Sequence, residues 1–409
     1  MYKKKIVPCE TYIEISMKDD FLKYQAPTSL YPLGLEVARA QGNYIYDTQG
    51  KAYLDFVAGV SACTLGHCHP KVVKAIQEQV AQYMHVMVYG EYAQQPAVEY
   101  CKRLAELLPK PLEMTYLVNS GTEAIEGSMK LAKRATGRSQ IIAARYAYHG
   151  NTQGSLSIMD YELRKQPFRP LLPDVDWIEF NNEADLARIT HRTAGVVLET
   201  IQGGAGFITP ENNYLSKVKK RCEQVGALLI LDEIQPGFGR TGKLFGFQNY
   251  DVVPDILAIG KGMASGLPCG AFVASRQLMM LLADNPKMSH ITTFGGNPVI
   301  AAASLATLNE LISTDMMEQT LEKESLFRRL LKHRKIKEVR GKGLMLAAIV
   351  EDADLANHII LYAHQRGYIF FWLLFELRAV RISPPLTITK DEIKKGCEII
   401  LEAIDAYNG

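Results

Sequence analysis

The sequence predicts an α/β protein: a large domain with a mostly parallel sheet covered by helices, and a smaller α+β domain assembled from the two termini. Three observations carry this. From Gly66 onward, short aliphatic runs alternate with helical stretches, the pattern of strands buried on both faces. Two of those runs, residues 227–231 (ALLIL) and 256–259 (ILAI), are followed by a charged residue, Asp232 directly and Lys261 across Gly260. Both charges therefore stand at carboxyl ends of strands, where open α/β sheets hold ligands.

Along the chain, residues 43–56 (NYIYDTQGKAYLDF) alternate on both sides of a Gly-containing turn and predict a hairpin. Pro70 then opens the helix VVKAIQEQV. Strands are expected at 114–118, 141–143, 196–198, 228–231 and 256–259. Ser120 and Glu123 have capping-box spacing, and the helix behind them carries Ala124, Ile125, Met129 and Ala132 along one side. Its first N–H groups, those of Gly121 and Thr122, should point at the same crevice and could hold a phosphate. Gly295-Gly296-Asn297-Pro298 leads into AAASLATLNELI. A strand near 344–350, a helix near 355–365, the segment RAVRISPPLTIT and a terminal helix follow. The expected division is residues 1–65 joining the small domain, 66–310 as the large domain and 311–409 completing the small one.

Composition narrows the function classes. Lys and Arg total 46 against 44 Asp and Glu, so neither nucleic acid nor an anionic membrane is an expected partner. The start, MYKKKIVPCETYIEIS, is basic without the apolar core of a signal peptide, and no later run is apolar for long enough to span a bilayer. Seven cysteines without paired spacing suggest a reducing compartment, so a cytoplasmic protein is expected. His67-Cys68-His69 could suggest a metal site, but consecutive residues diverge and Pro70 marks a loop; no metal is expected.

An acid and a lysine in one crevice suit pyridoxal 5'-phosphate, which needs an amine for its Schiff base and a carboxylate to keep its ring nitrogen protonated. Two nucleotide readings compete. Gly237, Gly239 and Gly242 spell G-x-G-x-x-G, yet KLFGFQNYD follows where a helix is required. The same stretch fits a P-loop, but Leu244 stands where Ser or Thr should bind magnesium.

With these parts in place, the chain resembles the class III aminotransferases, pyridoxal-phosphate enzymes of fold type I, in the branch of acetylornithine, ornithine and 4-aminobutyrate aminotransferases. GNYIYDTQGKAYLDFVAG, GHCHPKV, NSGTEA, YHG, LLILDEIQPGFGRTGKLFGF, PDILAIGKGM, TTFGGNP and VRISPPL carry the resemblance in family order. It implies Lys261 as the Schiff-base lysine and Asp232 as the partner of the ring nitrogen. It also implies Tyr148 and Ile234 on the two ring faces, Gln235 at the ring hydroxyl, and Gly121 and Thr122 at the phosphate. Glu199 would lie near the ring. Thr293 would reach over from a neighbouring subunit, which implies a homodimer with shared sites. Arg381 would grip the substrate α-carboxylate with its planar fork. His149 reads equally as a site residue or a loop histidine.

Two departures stand out. Gly204 follows Gln202-Gly203 where the family has a glutamate that gates the arginine, and Pro236 replaces a common threonine. The expected reaction is transamination from N-acetylornithine, ornithine or a related ω-amino acid to an oxo acid, with 2-oxoglutarate foremost. An α-amino acid donor, a mutase or decarboxylase on the same fold, and a nonenzymatic binding protein are the alternatives.

Overall fold

The structure is a computed structural model and describes residues 17–408. The basic start and Cys9 lie outside the described residues. Three strands open the fold: β1 (Val37–Gln41), β2 (Tyr44–Asp47) and β3 (Ala52–Asp55), with β2 and β3 forming the expected antiparallel hairpin. The large sheet follows with β4 (Met114–Val118), β5 (Gln140–Ala144), β6 (Val175–Ile178), β7 (Thr193–Glu199), β8 (Leu228–Asp232), β9 (Ile256–Gly260) and β10 (Gly270–Ala274). The chain ends with β11 (Ile336–Lys342), β12 (Met345–Val350), β13 (Tyr368–Ile369) and β14 (Ala379–Ile382).

In the seven-stranded sheet the order is β4-β10-β9-β8-β7-β5-β6. All neighbours are parallel except β10, which runs antiparallel to both β4 and β9. β7, β9 and β10 are buried at every residue, as strands covered on both faces must be. The sequence reading omitted β1, β6, β10, β11 and β13. GAFVA in β10 is too short and uniformly apolar to show a period, and VDWI and IKEVRGK carry no clean alternation.

A three-stranded sheet, β11-β12-β14, forms late in the chain, and β13 adds in parallel to β3, extending the N-terminal sheet to four strands. N-terminal and C-terminal segments thus share one sheet. Arg240, wholly buried in the loop after β8, ties that loop to the C-terminal segments by donating to the carbonyls of Leu344 and Pro384.

The helix Gly121–Thr136 begins as its sequence promised, with the Ser120 side chain accepting from the Glu123 N–H at 3.3 Å. The second half of the expected box is displaced by one residue. The Glu123 carboxylate accepts from the Asn119 N–H at 2.6 Å, not from that of Ser120. Gly137, left-handed at φ 68, ends the helix.

Candidate active site

β7, β8 and β9 deliver their last residues to one edge of the sheet. Register pairs Glu199 with Asp232 and Asp232 with Ala258, so two acids stand side by side while Lys261 follows the end of β9. Lys261 has φ 44, a left-handed backbone that costs a residue with a side chain roughly 1 kcal/mol. These residues open into a cavity of about 590 Å³. Asp232, Lys261, Gly121, Thr122, Tyr148, Ile234, Gln235, Glu199 and Arg381 all line it. Thr293 does not: it is exposed, outside this cavity.

The floor is a hydrogen-bonded acid cluster. Asp232 accepts from the Ile234 N–H at 2.9 Å, and its other oxygen lies 2.8 Å from His149 Nδ1. His149 is buried, and its Nε2 has no partner. That places it at the site, against the loop-histidine alternative. Glu199 accepts from the backbone N–H groups of Tyr148 at 3.0 Å and Gly203 at 2.8 Å. Burial pushes its carboxyl up to about 7, with Asp232 adding to the rise and His149 and the two N–H groups opposing it.

The cations respond to the same burial. Lys261 is held below the usual lysine range by desolvation, with Arg381 adding to the effect and Asp232 and Glu199 opposing it. Arg381, 6% exposed on β14, is lowered to about 10 by burial, and its Nε finds no hydrogen-bond partner. An unpartnered buried guanidinium N–H is costly unless a ligand completes it.

Close approaches shape the remaining walls. A Cβ on Gly121 would lie 2.8 Å from Ile234 Cδ1, so the helix N-terminus meets the cavity only because no side chain stands there. Thr122 Oγ1 lies 2.8 Å from Thr152 Oγ1 and 2.6 Å from Ser155 Oγ. Gly150, at φ +132, leaves room for that hydroxyl, which a Cβ would meet at 2.3 Å. Ala58, Gly59, Val60 and Ser61 form a run of positive φ values. This strained turn sets Val60 in the cavity wall and Ser61 Oγ as acceptor from Gln235 Nε2 at 3.3 Å. A Cβ on Gly204 would meet Phe375 Cδ2 at 2.8 Å, so the site where a glutamate was expected to be missing is filled by an aromatic ring.

The donor set fits pyridoxal phosphate: first-turn N–H groups of a 16-residue helix for a phosphate, a buried carboxyl for the ring nitrogen and a half-buried amine for the aldehyde. The unpartnered Arg381 Nε leaves a carboxylate site beside them. Sequence reading missed Arg164 and the wall of Phe371, Trp372, Leu373 and Leu374. It also missed Glu233, wholly buried beside Asp232. FFWLLF in the sequence signalled only an apolar stretch. Among the described residues, no group of three or more His, Cys, Asp and Glu could hold a metal ion. His67 bonds Asp55 at 2.9 Å. No helix among them is long and apolar enough to cross a membrane.

Comparison with known proteins follows the same lines. The profile of the family described as Aminotransferase class-III matches residues 24–404. An acetylornithine aminotransferase of Methanopyrus kandleri is 35% identical over 388 residues, covering 94% of this chain and 97% of that protein. A putrescine aminotransferase of Pectobacterium atrosepticum is 36% identical over 409 residues, covering 95% and 86%. The ornithine aminotransferase of Toxoplasma gondii, whose crystal has PLP at partial occupancy in the active site, superposes with a TM-score of 0.89 at 27% identity. That match covers 96% of this chain and 95% of the other.

Proposed function

Because the chain belongs to the class III aminotransferases and is a pyridoxal-phosphate-dependent transferase, we propose that it moves the amino group of an ω-amino donor to an oxo-acid acceptor. N-acetylornithine, ornithine or a related ω-amino acid is the donor, and 2-oxoglutarate the acceptor. The observation that carries this is the meeting of Lys261, Asp232 and Arg381 in one cavity.

When bound, the cofactor supplies an electron sink for bond breaking at the amine-bearing carbon of the substrate. Lys261 would hold its aldehyde, Asp232 its ring nitrogen, and the N–H groups of Gly121 and Thr122 its phosphate. Tyr148 and Ile234 would cover the ring faces, Gln235 would meet the ring hydroxyl, and Thr293 would reach in from a second copy of the chain in a homodimer. The Lys261 amine would carry a proton from the amine-bearing carbon of the donor to the cofactor, and in the second half-reaction would carry one to the acceptor carbon that receives the amino group. Its lowered pKa leaves more of the amine neutral near pH 7, the form that acts as nucleophile and base. Arg381 grips a substrate carboxylate through its planar fork. Phe371, Trp372, Leu373 and Leu374 give the cavity one apolar wall.

One observation favours a second donor class. Arg381 makes no ion pair among the described residues, and Phe375 fills the space beside Gly204, so the arginine stands open to an α-carboxylate in both half-reactions. An α-amino acid donor is therefore the alternative. The test is the visible band of the cofactor-loaded protein, followed as single donors are added without an acceptor. Bleaching by N-acetylornithine or ornithine, and not by most α-amino acids, is expected. Bleaching by α-amino acids alone would reassign the donor, and no response to any amine would overturn the reading.

A further inference from the structure

The cavity lining contains two arginines, Arg381 at its depth and Arg164 on the short helix Glu162–Lys165, where it is exposed. Among the described residues, neither forms an ion pair. The acids that line the same cavity are engaged elsewhere: Asp232 by His149 and the Ile234 N–H, Glu199 by the N–H groups of Tyr148 and Gly203. Two guanidinium groups thus line one cavity, and among the described residues neither has a carboxylate to balance it.

The seat of Arg164 is built from the same change that left Arg381 alone. Gly204 has no side chain, and Phe375 packs into the vacated volume with its backbone N–H donating to the Gly204 carbonyl at 3.0 Å. The Phe375 ring lies 5.3 Å from that of Tyr161 and 6.3 Å from that of Tyr146, which fixes it in place. The Arg164 guanidinium sits 5.9 Å from the centre of this ring, within cation–π range. Arg164 is also near enough to Tyr148 to offset part of the rise that burial imposes on its hydroxyl. A ring that excludes an acid from position 204 therefore supports a second cation over the cavity.

We propose that Arg164 is a specificity-determining residue that takes the distal carboxylate of a dicarboxylic oxo acid whose α-carboxylate lies on Arg381. This rests on the oxo-acid half-reaction proposed above. A dianion neutralises both guanidinium groups, whereas a monocarboxylate leaves one unpaired. Because Arg164 is exposed, its pairing is screened, and discrimination of about three- to tenfold is the expected scale.

The experiment titrates the cofactor-loaded enzyme with glutarate and with butyrate by calorimetry, in the wild type, Arg164→Gln and Arg164→Lys. The wild type should prefer glutarate. In Arg164→Gln that preference should fall about fivefold, with a smaller fall in Arg164→Lys because the charge remains. The ratio of kcat/KM for 2-oxoglutarate over that for pyruvate should fall by a similar factor. An unchanged ratio, or equal weakening of glutarate and butyrate, would overturn the assignment. If no oxo acid accepts the amino group, the proposed reaction fails, while the glutarate-to-butyrate ratio still decides the role of Arg164.

Discussion

Glu233 accepts hydrogen bonds from Thr200 Oγ1 at 2.5 Å, the Phe247 N–H at 2.6 Å and the Gly246 N–H at 2.7 Å. Burial nevertheless holds its carboxyl at about 7, against those three hydrogen bonds and with Asp232 adding to the rise. A glutamine has nearly the same shape, but its amide group must face an N–H that needs an acceptor. Glu233→Gln is therefore expected to lower stability by about 1–3 kcal/mol at pH 8, read from urea denaturation. No change would mean that the surrounding donors find other acceptors. In the sequence Glu233 is simply the residue after Asp232. Adjacent residues at the end of a strand face opposite ways, and only the fold shows that one faces the cavity while its neighbour ties down the loop at Gly246.

The helix Gly121–Thr136 shows what an element requires beyond its own pattern. Its cap and apolar side were legible, and so was its place after a strand. Gly127 was not informative, because a mid-helix glycine reads only as a weak position. In the structure a Cβ there would lie 2.3 Å from Phe272 Cε1, on a fully buried ring of β10 stacked 5.1 Å from that of Tyr116. Gly127→Ala gains roughly 1 kcal/mol of helix propensity and must displace that ring, an overpacking cost of about 1–3 kcal/mol. Net destabilisation is the expected outcome, measured as a lower thermal midpoint of the cofactor-loaded protein. A higher midpoint would show that the strand yields. β10 was absent from the sequence reading, so its contact with the helix could not be anticipated.

At the scale of the whole molecule, the sheet that the two ends of the chain share carries a pH-dependent ion pair at the end of β3. Asp55 ends β3, which pairs with β13, and its carboxylate holds His67 at 2.9 Å. Burial pushes His67 down, but hydrogen bonds to Asp55 and Cys63 outweigh this and raise it from 6.5 to about 10. A raised histidine contributes stability that is fully present below its unfolded value and lost as pH rises through its folded value. The stability advantage of the wild type over His67→Gln should be largest near pH 6 and shrink steadily toward pH 10 in urea titrations. A constant difference would show that His67 is neutral throughout. By itself the sequence determined the alternation of strands and helices, the family, and the acid and lysine at strand ends, because period, turn chemistry and motif order are local properties of the chain. Tertiary structure alone decided that β10 runs antiparallel, that β13 closes the N-terminal sheet, and that Phe375 occupies the space at Gly204 and seats Arg164. Those outcomes depend on which distant segments exclude one another from the same volume, and no local pattern encodes that competition.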